Sequence, residues 1–357
     1  MTRAPLPMVV VGAGSMGRAW LAAVAASADV ELVGVADLDL ETARAAAPGV
    51  AVGTDAVELA TRTGARAVID VAVPSAHHAV TTAALFAGLP VLGEKPVADT
   101  LAAALSLAAA SEATGRLFMV SQSRRWNPHL FALRDAMAGL GTVGALTTQF
   151  FKAPHFGGFR EEMEHPLLVD MAIHAFDTAR YLLGADPVAA YCEAYNPPWS
   201  WFAGAAAANA VFEMGGGARF AYSGSWCSPG TETSWNGAWR VSAEKGTATW
   251  DGESAPLVDD VAAPVPRGPA GIDAALAAFV AALRSGTTPM GEVHENVMSL
   301  AMVAAAVRSA ATGARVLIDD VLAAAHAEAL RTEARADVRA VLAGWSSPRE
   351  ALVGSGS

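Results

Sequence analysis

Three side chains have the types and spacing for proton chemistry. Asp170-Met-Ala-Ile-His174 sets a carboxylate and an imidazole four residues apart, which on a helix puts both on one face. An imidazole takes up a proton near neutral pH, and a carboxylate can orient it or grip a substrate. Asp177 follows one turn later. The same spacing is open to a pair of zinc ligands or to a solvated helix face. No further His or Cys cluster has ligand-like spacing, so no metal is expected. The third group is Lys95, in Glu94-Lys95-Pro96 just past the apolar run 90–93. An ammonium there can hydrogen-bond a hydroxyl and favour its alkoxide, and partial burial brings its pKa towards the working range. A surface lysine at a loop start has the same spacing. Pro96 fixes the local backbone, and the bond before it can be cis.

A second pattern concerns phosphate rather than protons. Val9-Val10-Val11-Gly12-Ala13-Gly14-Ser15-Met16-Gly17 places GxGxxG between a strand and an alanine-rich helix that starts at Ser15. Gly12 allows the tight turn, Gly14 lets a pyrophosphate approach the backbone at the helix N-terminus, and Gly17 permits close helix–strand packing. Asp37 closes the second strand, 20 residues past Gly17, where it would accept hydrogen bonds from ribose hydroxyls and repel a 2′-phosphate. Leu38 and Asp39 follow it, not arginine. NAD is therefore expected, and NADP less so.

The elements that must position these groups fall into two textures. Over the first ~120 residues, short β-rich runs (8–11, 31–36, 67–73, 90–93, 117–120) alternate with alanine-rich helical stretches. That is the doubly wound α/β pattern, with ligands beyond the carboxyl ends of the strands. After Arg124 a strong helix over 167–183 leads into strand-like runs between Ala189 and Trp250 with glycine-rich turns, which predicts a largely antiparallel sheet with helices on one side. Further helices are expected at 272–285, 296–312 and 322–342. The expected division is 1–122 for the dinucleotide domain, 123–343 for a substrate and oligomerisation domain, and 344–357 as a disordered tail.

Composition narrows the partners. The chain has 357 residues, 53% of them apolar, enough to bury large cores, and a net charge of −11 that argues against nucleic acid. Two cysteines, Cys192 and Cys227, make no disulfide framework, so a reducing compartment is expected. The N-terminus lacks a signal peptide's apolar region, and apolar stretches are shorter than the ~20 residues a bilayer needs. The expectation is a cytoplasmic protein with no membrane partner.

Taken in order, four segments resemble the Gfo/Idh/MocA oxidoreductases, the family of glucose–fructose oxidoreductase and inositol dehydrogenase. They are Gly12–Gly17 with Asp37; Val73-Pro74-Ser75-Ala76-His77-His78 running on to Glu94-Lys95-Pro96; Gln122-Ser-Arg124-Arg125-Trp126-Asn127-Pro128; and Asp170-Met-Ala-Ile-His174-Ala-Phe-Asp177. The resemblance covers about residues 8–320 and implies a Rossmann domain followed by an α/β domain with an open, mostly antiparallel sheet that forms a homo-oligomer interface, dimeric or tetrameric. It implies NAD(P)-dependent oxidation of a secondary alcohol on a sugar, polyol or cyclitol; with Asp37 favouring NAD, the expected reaction is hydride transfer to NAD from a secondary hydroxyl of a sugar, sugar derivative or inositol. Lys95, Asp170 and His174 match the catalytic set. Gly12, Gly14, Ser15, Met16, Gly17, Asp37, Pro74, His78, Glu94 and Gln122 are the expected cofactor contacts. Two departures line the site: Glu164-His165-Pro166 stands where glycines are usual, and Val73-Pro74-Ser75 replaces Thr-Pro-Asn. Relatives that cleave glycosides by transient oxidation and elimination offer a second reaction on the same fold. A non-catalytic NAD-binding sensor is the third reading, against which stands the intact Lys95, Asp170 and His174 set.

Six of the nine tryptophans fall between Trp199 and Trp250. They fit sheet packing or an interface, or stacking on sugar rings. Trp235 and Trp201, in loop-like stretches, are the stronger candidates for ligand contact. Lys152 and His155, after the first strand of the second domain, are expected to grip hydroxyls if they face the cleft and to be solvated if they do not.

Overall fold

The structure, a computed structural model, describes residues 4–354. The chain forms two compact units, the first made of residues up to Ser123, Ala270–Val297 and those from Ala323 on, the second of Arg124–Pro269 and Met298–Leu322. The expected division was 1–122, 123–343 and a tail; in these units residues 270–297 and those from 323 on group with the first.

In the first unit, β1 (Leu6–Val11), β2 (Val30–Ala36), β3 (Ala51–Gly53), β4 (Ala67–Asp70), β5 (Val91–Glu94) and β6 (Phe118–Ser121) form one sheet in the order β3-β2-β1-β4-β5-β6. Every pair is parallel. Met8, Val9, Val10, Val68 and Ile69 are all buried, so both faces of the sheet are covered and the strands read as unbroken apolar runs. The crossovers are α1 (Ser15–Ala26), α2 (Leu40–Ala46), α3 (Ala56–Thr63), α4 (Pro74–Phe86) and α5 (Leu101–Thr114). Their ends are written locally. Asp39, Asp55 and Thr100 cap α2, α3 and α5 with side-chain oxygens, Pro74 opens α4, and Gly64 and Gly115 close α3 and α5 in the left-handed conformation. The carboxyl ends of the strands therefore lie along one edge, carrying Gly12, Asp37, Lys95 and Gln122.

The second unit begins with α6 (Pro128–Ala138) and β7 (Val143–Phe151), followed by the short α7 (Phe159–Glu162), a π-helical turn at Leu167–Ala172, and α8 (Ile173–Leu183). Its sheet contains β8 (Pro187–Tyr195), β9 (Ala207–Met214), β10 (Arg219–Ser225), β11 (Ala238–Ala243), β12 (Gly246–Trp250), β13 (Leu257–Val258), β14 (Val261–Ala262) and β15 (Val316–Leu317). The order is β14-β13-β12-β11-β7-β10-β9-β8-β15, antiparallel except for the central β7–β10 pair. One face packs on α8, whose Phe176 meets Phe212 edge-on at 4.7 Å and Tyr222 at 5.5 Å. Trp226, Trp239 and Trp250 are buried in this core, so packing accounts for them.

A buried ion pair ties the start of this unit to α8. Arg125 Nε donates to Asp177 Oδ2 at 2.9 Å and its second nitrogen reaches Oδ1, while Ser299 Oγ donates to Asp177 Oδ1 at 2.8 Å. Removing either charge would leave the other buried and uncompensated, a loss of about 3–5 kcal/mol.

The later helices are α9 (Gly271–Ser285), α10 (Val293–Thr312), α11 (Ile318–Thr332), α12 (Ala336–Gly344) and α13 (Pro348–Gly354). Residues 348–354 are thus helical, with Leu352 buried, where a disordered tail was expected; residues 355–357 lie outside the described residues. In the first unit His294 is held between two carboxylates, Nδ1 at 2.8 Å from Glu292 Oε1 and Nε2 at 2.9 Å from Glu112 Oε1. Trp345 Nε1 donates to the same Glu112 oxygen at 3.1 Å. Burial disfavours the imidazolium, but Glu292 and Glu112 outweigh it and raise the His294 pKa above its ordinary value. The stabilisation is full below the unfolded value of about 6.5 and fades as pH rises through the higher folded value. Thermal melts of wild type and His294→Gln across that range should converge as pH rises; parallel curves would contradict the assignment.

Candidate functional site

The glycine turn is shaped by contact distances. A Cβ at Gly17 would lie 2.0 Å from the Gly12 carbonyl oxygen, and one at Gly12, where φ is +93°, would lie 2.5 Å from the Val71 oxygen. Both positions are dictated by the protein's own packing. Gly14 is different: apart from its chain neighbours, no atom of the described residues comes within 4 Å of its Cβ position. Its missing side chain leaves room for something other than this chain. Gly14 caps α1 without a side-chain hydrogen bond, and no acidic residue occupies the first turn, so the helix end keeps its affinity for an anion. Ser15 and Met16 form that first turn, with Met16 exposed.

Asp37 ties the turn to the end of β2. Its Oδ2 accepts from Ala13 N at 2.7 Å and its Oδ1 from Asp39 N at 2.9 Å. Leu38 beside it is 91% exposed, which leaves the carboxylate's surroundings open. At the far end of the same edge, Gln122 is buried, and neither its Oε1 nor its Nε2 has a hydrogen-bond partner among the described residues; nor has Ser121 Oγ. A buried carboxamide with both ends unmatched is costly unless a ligand completes it. These features fit a dinucleotide: the Gly12–Gly17 backbone for its pyrophosphate, Asp37 for ribose hydroxyls and Gln122 for a polar group beyond.

Other expected contacts take different places. Glu94 is buried, and Trp20 Nε1 donates to its Oε1 at 2.8 Å while Lys95 N donates to its Oε2 at 3.1 Å. Burial raises its pKa against the pull of Trp20 and Lys95. Glu94 therefore anchors the backbone on which Lys95 sits. The Lys95–Pro96 bond is cis. Lys95 itself is half-buried at the end of β5. Pro74 opens α4 beside Val73, which is 61% exposed. His77 is buried between the Pro96 and Ala72 carbonyls, 2.9 Å from each. It joins the Lys95 loop to the loop after β4, a link that spacing did not reveal. His78, expected at the cofactor, turns to α5, with Nε2 3.0 Å from Ser106 Oγ.

In the second unit His174 is buried and lines a cavity of about 20 Å³ with Arg124, Thr148, Tyr222, Trp235 and Asn236. The single α-helix expected over 167–183 is interrupted: Asp170 lies in the π turn and His174 at the start of α8. π turns collect at functional sites. Arg160 Nε donates to Asp170 Oδ2 at 2.7 Å, a partner no motif pointed to. Lys152 Nζ donates to Glu232 Oε2 at 2.7 Å and lies 5.1 Å from the Trp235 ring centre, so it is paired rather than solvated. His155 is exposed and stacks on Trp201 at 3.8 Å. Arg124, Thr148 and Tyr222 were not foreseen as site residues. Thr148 and Tyr222 are polar residues at inward positions of strands, while Arg124 lies in the 3-10 turn 123–125, and nothing in their spacing joins the three.

Residues 6–122 match the profile of the oxidoreductase family GFO_IDH_MocA, NAD-binding Rossmann fold, and residues 138–249 match the GFO/IDH/MocA C-terminal domain. An inositol 2-dehydrogenase of Saccharopolyspora erythraea is 31% identical over 193 residues, covering 52% of this chain and 56% of that protein. The matches to inositol dehydrogenases span about half of those proteins' length. A 1,5-anhydro-D-fructose reductase of Ensifer adhaerens is 29% identical over 336 residues, 85% of this chain and 96% of that protein. The solved structure of an Agrobacterium radiobacter oxidoreductase in complex with NAD+, L-tartaric acid and magnesium has a TM-score of 0.78 at 20% identity, covering 89% of this chain and 99% of that one, which shows the shared fold. Loss of the Asp37 carboxylate should cost about one to two charged hydrogen bonds, or about tenfold or more in NAD affinity. Asp37→Ala should therefore weaken NAD in fluorescence titrations and narrow its lead over NADP; a wild type that prefers NADP would contradict this.

Proposed function

Because this chain belongs to the Gfo/Idh/MocA family of NAD-binding oxidoreductases, we propose that it oxidises a secondary hydroxyl of a sugar, sugar derivative or inositol, with NAD preferred over NADP. The observation that carries this reading lies within the first unit. The glycine turn, Asp37, the unmatched Gln122 and the amine of Lys95 all stand at the carboxyl edge of one parallel sheet. When bound, NAD supplies the two-electron acceptor for a carbinol.

The chain's own residues supply alignment and proton handling. Lys95, anchored through Glu94 and the His77 link, donates a hydrogen bond to the reacting hydroxyl oxygen and favours its alkoxide. His174 accepts the hydroxyl proton. Asp170, steadied by Arg160, orients the imidazole or the substrate. General acid–base help of this kind contributes about 10²–10⁴-fold. We place the reaction in the cytoplasm, in keeping with two buried, unbridged cysteines; no described helix is long and apolar enough to cross a membrane.

The chain assembles as a homo-oligomer through the outer face of the second unit's sheet. That face exposes Val188, Tyr191, Tyr195 and Val211, and Tyr191 and Val211 are direct cross-strand partners. Such aromatic and aliphatic exposure marks an interface.

Two outcomes follow. Lys95→Ala should lose at least about a hundredfold of turnover, followed by absorbance of reduced nicotinamide, while NAD titrations stay near wild type; full turnover would remove Lys95 from the reaction. In sedimentation at micromolar concentration the wild type should run as a dimer or tetramer and Val211→Asp as a smaller species. A monomeric wild type would refute the interface.

A further inference from the structure

A guanidinium, that of Arg124, lines the cavity beside His174. Three cations stand near it. Lys152 is closed by Glu232 at 2.7 Å, and Arg160 by Asp170 at 2.7 Å. Arg124 lines the cavity with its guanidinium 5.8 Å from the centre of the Trp235 ring. Its Nη1 is buried and has no hydrogen-bond partner among the described residues. Burial lowers its pKa to about 10 against the pull of the nearby Asp170 charge.

Two hydroxyls share its condition. Tyr222 Oη and Thr148 Oγ1 line the same cavity, both residues are 2% exposed, and neither oxygen has a partner among the described residues. They are brought side by side by register, since Tyr222 on β10 pairs with Thr148 on β7. Glycines keep the space around them clear. A Cβ at Gly224 would fall 2.3 Å from Tyr222 Oη, and one at Gly237, where φ is +76°, would fall 2.9 Å from Thr148 Oγ1. The pocket thus gathers three unanswered donors, one of them charged. The volume of about 20 Å³ admits small oxygen-bearing groups only.

We propose that this pocket receives a carboxylate, so that the substrate is a sugar acid or carboxylated polyol whose acid group is held by Arg124 with Tyr222 and Thr148. A guanidinium matches a carboxylate in a planar, two-point geometry, and a desolvated one discriminates strongly against a neutral group that leaves it unpaired. This assignment of substrate class rests on the oxidoreductase reading above, but its test separates the two.

The NAD-loaded protein would be titrated with matched pairs: D-gluconate and D-glucitol, D-glucuronate and D-glucose, D-galacturonate and D-galactose. Binding would be read from tryptophan fluorescence and calorimetry, and turnover from absorbance of reduced nicotinamide. In at least one pair the acid should bind about tenfold or more tightly than its neutral partner, a preference that shrinks with added salt. Arg124→Gln should bring that ratio close to one. Tyr222→Phe, which keeps the ring packed on Phe176, should reduce it partway and guards against loss of fold in the arginine variant. An acid preference in no pair, or one that survives Arg124→Gln, overturns the proposal. Oxidation of neutral partners without acid preference would leave the oxidoreductase reading standing and sink this one. Acid binding abolished by Arg124→Gln, with no reduced nicotinamide from any compound, would do the reverse.

Discussion

A side chain has no room where α1 leaves β1. The Gly17 backbone lies so close to the Gly12 carbonyl that a Cβ would come within 2.0 Å of it. This contact fixes the start of α1 against the strand end and aims its first N–H groups beyond the sheet edge. Asp37 then reaches back to Ala13 N, so the anion-binding end of the helix and the carboxylate at the end of β2 form one rigid corner. Lys95 and Gln122 follow from the same sheet, since β5 and β6 end along the same edge. The chemistry proposed for the first unit depends on that single close approach.

The second unit is organised by a division of labour between neighbouring arginines. Arg125 is paired: Asp177 accepts from two of its nitrogens, and Ser299 donates to the same carboxylate. That closed network fixes α8 and hence the backbone position of His174. Arg124, one residue earlier, lines a cavity, with the Asp170 charge nearby but its buried Nη1 without a hydrogen-bond partner among the described residues. Burying an unmatched guanidinium lowers stability, and folds retain such a group where a ligand restores the balance. The polar groups left without partners among the described residues of each unit, Gln122 in one and Arg124, Tyr222 and Thr148 in the other, are therefore the places where a bound molecule has most to offer.

Much of the fold was legible because its signals are local. Apolar runs of four to seven residues, capping residues such as Asp39 and Asp55, and the glycine turn each act within a few positions of the chain. The parallel sheet and the mostly antiparallel one followed from those patterns. The helical tail was not legible, since the apolar run 351–353 is too short to show a helical period and only its Leu352 is buried. Side-chain partnerships were the harder part. The family resemblance suggested His78 at the cofactor, but its ring reaches Ser106 on α5. Lys152 and His155 found Glu232 and Trp201, which lie far away in sequence. The pocket around Arg124 was missed because its polar parts come from a 3-10 turn and two strands; only the parallel register of β7 with β10 shows that Thr148 and Tyr222 stand together.

The central claim is that the chain removes two electrons and two protons from a carbinol and leaves the dinucleotide reduced. The most direct measurement is a single turnover with substrate carrying deuterium at the carbinol carbon, followed by mass analysis of both products. The account predicts that the label is recovered in the reduced dinucleotide and that the organic product is a ketone. Label retained in a cleaved organic product, or lost to water with the dinucleotide recovered in its oxidised form, would contradict it.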